Sequence, residues 1–365
     1  MRTAHLLFVI IGLTLLFACQ SNEPYTIEQK DGYTLVHNHS PLHKTSPISV
    51  EFVRQYGSEN PVDGEMLLGE PMGVTADDAG AVYILDHSIC QIIKCSPDGD
   101  EILRFGKKGQ GPQEMMMPYW PTLIEGMIYV PDFAGVVHRF TTDGKYAGRS
   151  ISPVKLSILT MRDAATMIVN LLAESAMGND TNLLHLYTTG GDLISTFCHL
   201  TPHAEPEAAT LINRLDVSTD LEGNIIVAFL AQNRLEKYDR DGNLILKIKR
   251  ESPCEEFIRK AGKHPQYGHM QWEESKITYS MQIDHKNRIW LISYTRQPEH
   301  GRDYNEEEIA AFFVFDVFDE NGIHLYSLDF PPESFNSFRI IGDRMFFIDP
   351  RARGVVREYR IKDSE

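Results

Sequence analysis

The chain has few cysteines. Five occur in 365 residues, too few and too scattered for the disulfide framework that stabilises small exported domains. On a strand Cys90 and Cys95 would face opposite sides about 17 Å apart, so they cannot bridge each other. With Cys198 and Cys254 they are expected to be buried small hydrophobes, a Cys198–Cys254 bond being the alternative. No closely paired cysteines occur, which disfavours a structural zinc site. Positive charge is also scarce. Lys and Arg number 35 against 51 Asp and Glu, a net charge of −16. An acidic surface repels phosphate, which argues against a nucleic acid partner or a polybasic membrane-surface role. Beyond the first residues there is no apolar run of about 18, the length that a membrane-spanning helix needs. His-Glu-x-x-His and Gly-x-Ser-x-Gly are both missing, and with them the zincin and serine hydrolase signatures.

Two glycine-bearing stretches are also negative. Gly106–Pro112 lacks the Gly-Lys-Ser/Thr that runs into a helix in a phosphate cradle, so it reads as a connection between sheets. Lys237–Gly242 has Lys where an EF-hand starts with Asp, and Ile248 where it ends with Glu, leaving a hairpin turn. Hydrophobic residues make up 42% of the chain, enough for a large core, which excludes disorder.

The first residues read as an address. Met1-Arg2 precede an almost wholly apolar Leu6–Phe17, too short to span a membrane and typical of a secretory signal. Leu16-Phe17-Ala18-Cys19 then resembles the lipobox of bacterial lipoproteins. The resemblance implies a signal peptide over residues 1–18, lipid on Cys19, and attachment to the membrane through that lipid. Gln20, in place of an acid, implies the outer membrane of a Gram-negative envelope, with the periplasmic or surface face left open.

The body of the chain repeats. Gly73–Asp86, Ile89–Lys94 and Glu101–Phe105 read as four strands, with an Asp98-Gly99 turn before the last. The unit recurs at Asp143-Gly144, Gly190-Gly191, Asp241-Gly242 and Asn321-Gly322. The first four turn glycines are spaced 45, 47 and 51 residues apart, within the period of about 40–50 residues of a four-stranded propeller blade. The longer interval before Gly322 holds two insertions, Ser252–Glu274, with a short helix expected over Glu255–Lys260, and a charged loop, Gln297–Glu308. A sixth unit stops after three strands, ending at Val355–Ile361. Ser49–Gly57 matches the outer strand Glu101–Gly106, so an N-terminal strand is expected to complete the last blade and cover its open edge.

The unit Pro71–Leu123 resembles an NHL-type repeat. Phe105–Glu114, together with the preceding strand Tyr33–Asn38, is similar to a group of six-bladed β-propeller lipoproteins. The expected fold is therefore all-β, a six-bladed propeller ring-closed by the N-terminal strand. Residues 19–47 would form a tether and lead-in, and residues 48–365 the propeller, as a monomer. The motifs specify fold; they transfer no catalytic residue.

In a propeller the innermost strands line an axial channel. They should begin near Met72, Trp120, Ile158, Arg214, Tyr279 and Phe338. This nominates Tyr119, Trp120, Asn213, Arg214, Asp216, Tyr279, Asn336 and Arg339 as rim residues, suited to an anionic or sugar-like ligand by bidentate hydrogen bonding and stacking. The insertion bearing His264, Tyr267, His269 and Trp272 would cover one rim. His37 and His39 share a strand face but read as part of a solvated lead-in, so no metal ligand is assigned. The leading expectation is a binding module for a protein or glycan-like ligand, without catalytic residues or cofactor. The alternatives are a lactonase- or lyase-type propeller enzyme, with calcium or zinc on the axis, and a structural part of an outer-membrane assembly.

Overall fold

The structure, a computed structural model, describes residues 23–58, 66–154, 158–172, 178, 180–263, 270–299, 302–329, 337–349 and 354–363. Its strands form six four-stranded antiparallel units. Blade 1 comprises Pro71–Ala76, Val82–Asp86, Gln91–Cys95 and Glu101–Phe105, in spatial and chain order. Blades 2 to 5 follow the same meander, starting at inner strands Thr122–Ile124, Ile158–Met161, Leu215–Thr219 and Thr278–Ile283. Blade 6 takes Ser337–Ile341, Arg344–Asp349 and Val355–Asp363 from the C-terminus, and its outer strand, Ile48–Tyr56, from the N-terminus. The expected closure is present.

The apolar residues show that the blades form a ring. Six buried clusters occur, each shared by two neighbouring blades. Ile92 and Phe105 pack on Ile128 and Phe140 between blades 1 and 2. The series continues to Trp290 and Phe315 against Phe338 and Phe347 between blades 5 and 6. The sixth cluster joins Phe346 and Val356 of blade 6 to Val74 and Ile84 of blade 1. An open row of six sheets would have one interface fewer, so burial of the final pair of faces is what closes the circle.

The turn glycines have a structural cause. In every blade the ladder between third and outer strand is shifted by a bulge, at Lys94/Cys95 in blade 1 and Lys237/Tyr238 in blade 4, for example. Blade 6 carries it at Glu358/Tyr359, although its two strands come from opposite ends of the chain. A residue with positive φ accommodates the adjoining turn: Gly242 has φ +89°, and a Cβ there would come within 2.8 Å of Phe197 on the previous blade. Asp239 accepts the amides of Asp241 and Asn243 in the same turn, the hairpin expected from sequence.

The N-terminal segment runs along the outside of three blades. A hairpin, Tyr25–Lys30 with Tyr33–Asn38, adds to blade 4 by parallel pairing with Leu244–Arg250. Leu42 and His43 then donate backbone hydrogen bonds to the carbonyls of His324 and Leu325 on blade 5. Ile48–Tyr56 completes blade 6.

The first insertion departs from expectation. Instead of a helix over Glu255–Lys260, Ile258–Lys263 pairs with Met270–Glu274 as a hairpin. Arg259 bridges Glu273 at 2.8 Å, and Lys260 lies over the Trp272 ring. These cross-strand pairs outweigh the local helical pattern. The hairpin stands beside a short helix, Pro206–Ile212. Cys90, Cys95, Cys198 and Cys254 are buried and unbridged, although Cys90 sits in a turn with φ +54° instead of on a strand. Among the described residues no helix is long and apolar enough to cross a membrane.

Candidate functional site in the axial channel

The passage into blade 2 builds one wall of the channel. Tyr119 is buried, its amide bonded to the Pro131 carbonyl and its hydroxyl accepting the Leu159 amide at 2.9 Å. It thereby ties blade 2 to blade 3, and burial pushes its pKa up to about 12. Its ring meets Trp120 edge-on at 5.4 Å. Trp120 is held at φ +35°, an unfavourable conformation for a bulky side chain. Gly73 on the inner strand of blade 1 lets this passage approach. A Cβ at Gly73 would lie 2.5 Å from Pro121 Cδ and 3.0 Å from Trp120 Cα.

Trp120 therefore lines a cavity of about 650 Å³, open mouth included, with walls supplied mainly by blades 3 to 6. Ile158, Leu215 and Phe338 provide apolar surface, while Thr160, Asn170, Asp216, Ser280, Gln282 and Arg339 provide polar groups. The mixture of apolar surface with a few convergent polar groups is what small-molecule sites contain.

The two charges differ in how fully they are engaged. Asp216 Oδ2 accepts the Ser280 hydroxyl at 2.7 Å and the Met281 amide at 2.9 Å, and Oδ1 accepts the Val217 amide. It joins the inner strands of blades 4 and 5. Arg339 makes one hydrogen bond among the described residues, a long one of 3.5 Å from Nη1 to Gln282 Oε1. A guanidinium carries five N–H donors, so most of them have no partner among the described residues. Burial lowers the pKa of Arg339 from its ordinary value, against the opposing pull of Asp216. The cation is poorly solvated there, and an acceptor-bearing ligand would complete its shell.

Trp120, Asp216 and Arg339 are thus the nominated residues that the fold brings together. The other described ones lie elsewhere. Asn213 is buried, donating to the carbonyls of Ala209 and Thr201 and accepting the Thr201 amide, and so closes the helix Pro206–Ile212. Arg214 pairs with Glu274 of the inserted hairpin. Tyr279 packs on Tyr294 and Phe313 between blades 5 and 6. Tyr119 is engaged structurally, as above. Asn336, His264, Tyr267, His269 and Cys19 lie outside the described residues. Trp272 meets His203 edge-on, and no described residue of the insertion lines the cavity. The polar wall that sequence reasoning missed follows strand alternation: Ile158 with Thr160, Ser280 with Gln282, and Ser337 with Arg339 each share one face.

Fold and cavity together define a six-bladed β-propeller with a partly polar axial pocket. No family model matches the sequence, and no curated protein does. Solved structures do share the fold. A member of the DUF4221 family from Bacteroides vulgatus superposes with a TM-score of 0.57 at 9% identity, over 87% of this chain and 99% of that one. A Bacteroides fragilis protein described as exported gives 0.56 at 10% identity, over 89% and 98%. Virginiamycin B lyase from Staphylococcus aureus gives 0.47 at 11%, over 86% and 99%.

Proposed function

We propose that this protein is an exported binding module whose axial pocket takes a small glycan-like ligand bearing a carboxylate. The observation that supports it is Arg339, a cation most of whose donors have no partner among the described residues, on a wall shared with Trp120. A guanidinium fork matches a carboxylate in bidentate geometry, and aromatic faces stack on sugar rings. Asp216, already holding three donors, positions the wall. The apolar leader and Cys19 support attachment to the envelope through lipid, and a Bacteroides fragilis protein of similar fold is described as exported.

The test is titration calorimetry with glucuronate, galacturonate and their oligomers. Saturable binding that Arg339→Gln and Trp120→Ala each weaken by about tenfold or more, one good charged hydrogen bond or stack, is the expected result. Equal binding by Arg339→Gln, or no binding by any acidic sugar, overturns the reading. Metabolic labelling with an alkyne fatty acid should mark the wild type and not Cys19→Ala.

A further inference from the structure

The outer edge of blade 4 carries a second group of ligating side chains, well away from the axial cavity. His37 is the penultimate residue of the strand Tyr33–Asn38, and His39 follows the strand on the same face. The parallel neighbour pairs Lys249 with His37 and Arg250 with Asn38, so Glu251 comes level with His39, and its amide donates to the Asn38 carbonyl at 3.0 Å. His37 Nε2 lies 3.5 Å and His39 Nδ1 3.8 Å from Glu251 Oε1, and all three donor atoms fall within 4.8 Å of one another. A tetrahedral ion with bonds of about 2.0–2.1 Å has donor atoms about 3.3 Å apart along each edge. The three atoms are within a few tenths of an ångström of one such edge and within reach of the others.

The residue between the histidines holds them in place. Asn38 is fully buried, donating to the carbonyls of Lys249 and Gly322 and accepting the His324 amide at 2.8 Å. With Asn38 pointing inward, strand alternation sends both imidazoles outward on the Glu251 side. Glu28, on the neighbouring strand of the hairpin, is within electrostatic reach of His37 and adds negative potential. His39 and Glu251 also edge a cleft between blades 4 and 5, lined by Ser252, Ser293 and Ser327.

We infer that His37, His39 and Glu251 form a site for one divalent transition-metal ion of borderline softness, such as zinc. Two imidazoles and a carboxylate suit zinc, copper or nickel and disfavour calcium and magnesium, which take oxygen ligands. Three protein ligands leave a fourth position for water. The ion would fasten the N-terminal hairpin to the end of the blade 4 outer strand.

The experiment is zinc chloride titration of the purified, metal-stripped protein by calorimetry, with calcium chloride as comparison and X-ray absorption at the zinc edge. One tight site per chain is expected, with two imidazole scatterers in the absorption spectrum and no heat from calcium. His37→Ala/His39→Ala should abolish that site and Glu251→Gln should weaken it by more than about tenfold, with unchanged circular dichroism in both. Equal zinc affinity in the double variant, absence of a one-to-one site in the wild type, or matching calcium binding overturns the assignment.

Discussion

Tyr56 donates its phenolic hydroxyl to the Glu358 carboxylate at 2.7 Å, joining residues 302 positions apart in the chain. Both are buried in the blade that the two termini build together. Glu358 also accepts Arg344 Nε at 2.7 Å and lies 3.6 Å from Arg54. Burial is the main cause that raises the pKa of Tyr56, with the Glu358 carboxylate adding to it. The phenol stays protonated as a donor at any physiological pH.

Tyr56→Phe removes that donor and keeps the ring, at a cost of about 1–3 kcal/mol for a bond to a charged group. Glu358→Ala leaves Arg344 without its carboxylate and should cost about 3–5 kcal/mol. Urea unfolding followed by circular dichroism reads both. Equal stability of Tyr56→Phe and wild type would mean that the apolar seam alone holds the ring closed.

Acid should open the molecule through the same kind of group. Burial pulls Glu358 upward, but the Arg344 and Tyr56 hydrogen bonds outweigh it and hold its pKa below the ordinary value. Glu236 behaves likewise between Arg234, Tyr238 and Lys247, and so does Asp86 between the Ser88 hydroxyl and the amides of Gly69 and Glu70. A carboxylate whose folded pKa is depressed contributes stability that is present above its unfolded pKa, about 3.9 for Asp and 4.3 for Glu, and is lost as pH falls through the folded value. The melting temperature should therefore hold from pH 7 to about 5 and fall steeply below about 4. In Glu358→Gln it should start lower and fall less. A parallel descent of the two curves would remove Glu358 from the account.

The ring was legible because its spacing has a cause that acts residue by residue. In blades 1 to 5 a turn glycine with positive φ leads into the bulged outer strand, so glycines recur at the blade period and can be counted. Closure was legible from Ser49–Gly57, which repeats the pattern of an outer strand. The cavity wall was not. Arg214 and Arg339 both stand near the start of an inner strand, and only the fold shows that Glu274, 60 residues further on, engages the first, while the second lines the cavity. The docking of Tyr33–Asn38 on blade 4 depends on a partner 211 residues away, and nothing local announces it.

Gly73→Ala tests how Trp120 reaches the channel. The new methyl would overlap Pro121 Cδ and press on the Trp120 backbone, so the passage must move outward. Overpacking of this kind typically costs about 1–3 kcal/mol. The sharper readout is Trp120 itself. In a Trp272→Phe background, acrylamide quenching of the exposed fraction should rise in Gly73→Ala, since Trp290 is fully buried. Unchanged quenching with unchanged stability would mean that the approach at Gly73 does not set the ring's position.

Asn38 offers a local test of the segment that wraps the propeller. Its amide bridges the end of the blade 4 outer strand at Lys249 to the blade 5 turn at Gly322 and His324. Asn38→Ala strips partners from the Gly322 carbonyl and the His324 amide in a buried place, where each unsatisfied group costs about 1–3 kcal/mol. Asn38→Asp keeps an acceptor for the His324 amide but turns a carboxylate oxygen toward two carbonyls, so it should be at least as damaging. The loss should stay local, because the apolar seams of blades 1 to 3 do not depend on this residue. Hydrogen exchange should therefore accelerate over residues 33–38 and 322–325 in both variants and remain at wild-type rates in Val82–Asp86. Acceleration spread evenly through all six blades would show that the segment is part of the global folding unit instead of a strap upon it.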